Sequence, residues 1–253
     1  MKRENVKSGK VLSLRKMTII GVLGAVSIML GMTPLGFIPV GPTKATIMHI
    51  PVIIGSILEG PVVGGFIGLI FGLFSIFQAI TNPTPVSFVF YNPITSILPR
   101  VLMGIMSYYV YDFFAAKSSR TTKLLVSGIL LGFVAYLTRT IYRTIGSAGG
   151  QFSIIVNLVS IVVLMALVYY INRLEDDVLK VTIASAAGTL INTVGVLSSI
   201  YFLNGEKYMA KLGKDIGLAR KFIFGIAITN GIPEVILAIV ITVSVVRALK
   251  NSK

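Results

Sequence analysis

The sequence has no cysteine, one histidine, and nine acidic residues against twenty-three basic ones. Without thiols there is no disulfide and no thiolate nucleophile, although this says nothing of the compartment. The lone histidine, His49, leaves di-histidine metal motifs and a hydrolase built on a histidine base without their parts, and neither a metal nor a cofactor is expected. Charged residues make up 13% of the chain, where a soluble domain carries about a quarter.

What is present is apolar. Hydrophobic residues reach 55% and the mean hydropathy is +0.88. That is the composition of an integral membrane protein, and candidate spans leave no room for a soluble catalytic or nucleotide-binding domain. The net charge of +14 is therefore read through loop topology, not as a nucleic-acid signature. The start, MKRENVKSGKVLSLRK, is basic like a signal peptide, but no small-residue cleavage site follows its apolar run. It is expected to stay as a cytoplasmic tail over residues 1–16.

Eight spans are expected: Met17–Met32, Lys44–Leu58, Val62–Ile80, Ile94–Ala115, Leu124–Ile141, Ser153–Ile171, Val181–Leu203 and Phe222–Val246. More than half of the basic residues then fall in cytoplasmic segments, with both termini inside, including the tail 248–253. Thr33–Thr43, with three prolines and two glycines, is a stiff outer loop able to cover a site. Gly36, Gly41 and Thr43 loosely match a phosphate-binding loop, but Pro42 stands in the lysine position and no strand precedes it. Glu59-Gly60-Pro61 makes a tight inner turn. Gly60, Gly64, Gly68 and Gly72 follow at intervals of four, on one helix face open to close backbone approach. That ladder packs within the chain or also meets a partner. Outer loops are expected at Thr81–Pro93, around residues 146–151 and at Asn204–Arg220.

The last span carries Asn230, Gly231, Pro233 and Glu234 at its middle. A carboxylate at that depth costs about 2.5–3.5 kcal/mol on the insertion scale, so it persists only where it faces protein or a polar cavity. Two readings stand. Glu234 lines a polar pocket opened by the Pro233 break, or the helix starts late, near Asn230, and Glu234 lies at the aqueous interface. Other polar groups at or near membrane depth are His49, Glu59, Gln78, Arg100, Arg139, Asn157 and Asn192. Arg100 either holds a ligand carboxylate by a bidentate pair or snorkels to headgroups. Asn192 and Asn230 either meet a small polar ligand or join helices.

Four blocks resemble a known family: PVIIGSILEGPVVGGFIGLIFGL at Pro51–Leu73, NPITSILPRVLMG at Asn92–Gly104, GTLINTVGVL at Gly188–Leu197 and TNGIPEVILAIV at Thr229–Val240. They are similar, in family order, to the substrate-binding S components of energy-coupling factor (ECF) vitamin transporters, nearest to the pantothenate-type branch. The resemblance implies an all-α, six-helix subunit of the bacterial plasma membrane. It would capture a water-soluble vitamin from outside, then associate with a transmembrane coupling subunit and two cytoplasmic ATPases. The family's small-x-x-x-small motif maps onto Gly21 and Ala25, where the first position departs from alanine. Gly64 and Gly68 are further docking candidates.

Six-helix members have little between their fourth and fifth helices, whereas residues 117–180 here contain an additional hydrophobic pair. The expected organisation is core helices over 17–116, an inserted hairpin over 117–180 and the last two core helices over 181–247. For a pantothenate-like anion, Arg100 is the candidate for the carboxylate. Asn92, Asn192, Asn230 and His49 are candidates for its polar groups, and Glu234 would orient these donors or Arg100. A self-sufficient secondary transporter is the alternative, although no inverted repeat accompanies the Pro233 break. An intramembrane enzyme lacks a converging nucleophile, base and orienter.

Overall fold

A computed structural model describes residues 12–40, 43–145 and 151–251, so most of the amino-terminal tail and most of the outer loop expected around 146–151 lie outside the described residues. The chain divides into two compact units, Met1–Tyr111 with Val181–Lys253, and Asp112–Lys180. Among the described residues, five helical stretches are long and apolar enough to cross a membrane: Leu14–Met32, Pro61–Thr81, Ser119–Arg143, Asp176–Lys211 and Ile216–Lys250. The expected class, a multi-pass helical membrane protein, holds.

In the first unit α1 (Leu14–Met32) begins on Ser13, whose hydroxyl accepts the Lys16 amide at 3.4 Å. The Pro/Gly-rich segment after it does not stay irregular. After a 3₁₀ turn at Pro34–Gly36, β1 (Phe37–Val40) pairs antiparallel with β2 (Thr43–Thr46), Phe37 opposite Thr46 and Val40 opposite Thr43. Pro39 is tolerated because a two-stranded hairpin consists of edges alone.

The second expected span needs correction. Thr43–Thr46 is strand, and α2 (Ile50–Glu59) has 10 residues, about 15 Å and half of a bilayer core. Its run Ile50–Ile57 is buried throughout, so it is apolar because it is enclosed by protein. Gly60 at φ +103° makes the turn that only glycine adopts without strain, and Pro61 opens α3 (Pro61–Thr81). After a 3₁₀ segment, Ser87–Tyr91, come α4 (Pro93–Ser96) and α5 (Leu98–Ala115).

The glycine ladder lies between α3 and α5. A Cβ on Gly64 would meet the Gly104 carbonyl, one on Gly68 the Arg100 carbonyl, and one on Gly72 would sit 2.7 Å from Ile97 Cα. The Ser56 hydroxyl closes the crossing on the Gly104 carbonyl at 2.5 Å. That face is filled from within the chain, which corrects the expectation that Gly64 and Gly68 dock a partner. Gly21 and Ala25 on α1 remain exposed, with nothing within 4 Å of a Cβ at Gly21.

Two long helices, α8 (Asp176–Lys211) and α9 (Ala219–Asn251), complete the unit and shorten the expected loop at 204–220 to residues 212–218. With 36 residues, α8 runs about 54 Å, well beyond a hydrocarbon core of about 30 Å. Its extension is held by an apolar cluster of Val89, Val196, Leu197, Ile200, Met209, Ala219 and Ile223. A second cluster, built on Val52, Ile53, Val63, Ile67, Phe71 and Met103, joins α2, α3 and α5.

The second unit is an antiparallel pair, α6 (Ser119–Thr144) and α7 (Gln151–Arg173). Ser118 caps α6 through the Thr121 amide, and Lys123 Nζ donates to the Asn172 carbonyl at 3.1 Å. Leu124, Ile129 and Phe133 are exposed, as side chains meeting lipid would be.

Candidate functional site

Beside Thr46 of β2 the first unit holds a cavity of 420 Å³, within the range of about 300–1,000 Å³ usual for small-molecule sites. Thr46 and Met48 wall it at the hairpin. α3 contributes Phe71, Ser75, Gln78 and Ala79, with Asn82 at its end, and the following segment adds Thr84, Ser87 and Phe90. Arg100 and Asn192 complete it from α5 and α8, and Arg100 is the one charged lining residue among the described residues.

Pro99 sets the position of Arg100. Having no N–H, it leaves the Thr95 carbonyl four residues back without its helical donor, and Arg100 Nη1 takes that oxygen at 2.5 Å. The guanidinium lies over Phe71 at 5.4 Å and Phe90 at 5.8 Å, and the residue is 6% exposed. No hydrogen-bond partner meets Nε, and no carboxylate pairs with Arg100 among the described residues. A buried cation flanked by aromatic faces and touching no carboxylate is costly unless an anion joins it. Asn192 is buried as well, and its Oδ1 has no partner among the described residues. Its carboxamide offers a donor and an acceptor.

α9 starts at Ala219, so Glu234 lies about four turns inside a helix and is 6% exposed, which removes the late-start reading. Its Oε1 accepts the Thr46 amide at 2.9 Å and the Thr46 hydroxyl at 2.8 Å, and Oε2 accepts the Thr193 hydroxyl at 3.3 Å. The expectation that Glu234 orients Arg100 or the ligand donors gives way to this, because its oxygens are taken by donors from β2 and α8.

His49 is fully buried and does not line the cavity. The Thr189 hydroxyl donates to the Ser185 carbonyl at 2.9 Å, so His49 Nε2, 3.1 Å from Thr189 Oγ1, is the donor of that contact. Asn92 caps α4 by accepting the Ile94 amide at 2.9 Å, and Asn230 Oδ1 accepts the Thr229 hydroxyl at 3.3 Å. Neither asparagine lines the cavity. Sequence reasoning singled out Gln78 as a polar group at membrane depth but did not assign it, or the rest of the α3 wall, to the site. Its signal was a polar stripe, Ser75, Gln78 and Asn82, at helical spacing inside an apolar span.

A family model described as the ECF transporter, substrate-specific component, matches residues 15–145 and 125–246. The chain is similar to the pantothenic acid transporter PanT of Lactococcus lactis subsp. cremoris, 26% identical over 226 residues, covering 84% of this chain and 81% of that protein. It is also similar to the pantothenate transporter PanT of Leuconostoc mesenteroides subsp. mesenteroides, 34% identical over 109 residues, 43% of this chain and 53% of that protein.

Proposed function

Because the chain belongs to the family of ECF transporter substrate-specific components, we propose that its cavity captures pantothenate for an ATP-driven importer. It is a membrane transport subunit and not an enzyme. The observation that carries the choice of ligand is Arg100, a buried guanidinium held between Phe71 and Phe90 and paired with no carboxylate among the described residues. Pantothenate has a carboxylate, an amide and hydroxyls. Arg100 holds the carboxylate by a charge-assisted pair, Asn192 meets the amide or a hydroxyl, and Gln78 and Ser87 supply further polar wall. The two relatives named as pantothenate transporters favour the same ligand.

The cavity end of the first unit faces the outside of the cell membrane, and both termini lie in the cytoplasm. We read α1, α2, α3, α5, α8 and α9 as the six-helix core and residues 117–180 as an inserted hairpin. The compactness of 112–180 as a separate unit supports that reading. A transmembrane coupling subunit and two cytoplasmic ATPases energise release. The open Gly21 and Ala25 face of α1 suits close approach by a partner helix.

A thermal-shift screen of the purified protein against water-soluble vitamins tests the ligand. Pantothenate should raise the unfolding temperature and the others should not, because only binding to the folded state stabilises. A shift by a different vitamin alone would overturn the assignment.

A further inference from the structure

We infer that Glu234 anchors the β1–β2 hairpin at the cavity wall, and so positions the anion site without being the counter-ion of Arg100. Its consequence for affinity rests on the proposed pantothenate function. The anchor itself rests on geometry alone.

Both carboxylate oxygens are engaged, and every donor is neutral: the Thr46 amide, the Thr46 hydroxyl and the Thr193 hydroxyl. A carboxylate accepting such donors is satisfied without a cation. Thr46 ends β2, pairs with Phe37 in β1 and lines the cavity, so fixing its backbone fixes the hairpin at the cavity wall. The Ile47 amide, which donates to the Gly36 carbonyl at 3.1 Å, ties the other side of the hairpin base. Glu234 thus joins the hairpin to α8 and α9 across 188 positions of sequence. With the Glu234 oxygens committed to the hairpin and α8, no carboxylate forms an ion pair with Arg100 among the described residues, and its guanidinium stays open to an anion.

An anchor and a counter-ion respond oppositely to Glu234→Gln. Glutamine keeps a carbonyl oxygen for the Thr46 amide and hydroxyl while removing the negative charge beside the anion site. Glu234→Ala removes the acceptors altogether. The test uses the full chain in lipid nanodiscs, with amide hydrogen exchange of the peptide containing Thr46 and calorimetric titration with pantothenate.

Without ligand, Glu234→Ala should speed exchange at Thr46 by about tenfold or more, and Glu234→Gln should stay within about twofold of wild type. Pantothenate affinity should fall about tenfold or more in the alanine variant and be kept or raised in the glutamine variant. Thr46→Val, which keeps the amide and loses the hydroxyl, should loosen the hairpin less than Glu234→Ala and serves if the alanine variant does not fold. Unchanged exchange in Glu234→Ala, or Glu234→Gln behaving like Glu234→Ala in both measurements, would overturn the anchor. Wild-type protein that ignores pantothenate would sink the ligand assignment, while the exchange measurements would still decide the anchor.

Discussion

Adding a single methyl group at Gly68 tests the packing that places Arg100. A Cβ there would stand 2.8 Å from the Arg100 carbonyl carbon, 3.2 Å from Val101 Cα, and closer still to the Arg100 carbonyl oxygen. Carbon atoms pack best at about 3.5–4.0 Å, so α3 and α5 must part by several tenths of an ångström or more. Both partners are helix backbone, with no flexible side chain to yield. Overpacking of this kind costs about 1–3 kcal/mol, more than the roughly 1 kcal/mol that alanine gains over glycine in a helix interior.

Gly68→Ala should therefore lower the thermal unfolding midpoint in detergent, by roughly 2–4 °C for each kcal/mol in a chain of this size. It should also weaken ligand binding, because the displaced backbone belongs to Arg100 itself. Gly225→Ala, where nothing lies within 4 Å of the added carbon, is the matched control and should be neutral or stabilising. If Gly68→Ala unfolds at the wild-type temperature and binds normally, the reasoning from the α3–α5 crossing is wrong.

Two further outcomes follow from the same geometry. Phe90→Ala removes one aromatic face over Arg100 and should weaken pantothenate binding by about 0.5–2 kcal/mol, read by calorimetric titration. Gly21→Leu or Ala25→Leu should leave binding unchanged while abolishing co-purification of the proposed ATPases and ATP-driven uptake, since both positions are exposed on α1 and neither lines the cavity.

Much of the fold was legible because membrane helices announce themselves by composition. Arg100, Asn192, Glu234 and His49 stood out as polar residues within apolar runs, and the structure buries all four. The hairpin was not legible. Three prolines ruled out helix at 33–43 without revealing that Phe37–Val40 would find Thr43–Thr46. Burial in protein and exposure to lipid select the same residues, so α2 read as a longer span than its 10 residues. The glycine ladder was visible, but its occupant was not, because Gly104 lies on another helix and gives no periodic signal. The Thr46–Glu234 contact was hidden for the same reason: hydrogen bonds that span most of a chain leave no trace in local spacing.

The most direct test of the central claim compares pantothenate with its primary-alcohol analogue, which lacks the carboxylate, in wild type and Arg100→Ala by calorimetric titration. Wild type should favour the acid by about 2–5 kcal/mol, roughly thirtyfold or more, and Arg100→Ala should bind acid and alcohol alike. Equal binding of the two ligands by wild type, or undiminished preference for the acid in Arg100→Ala, would contradict the account.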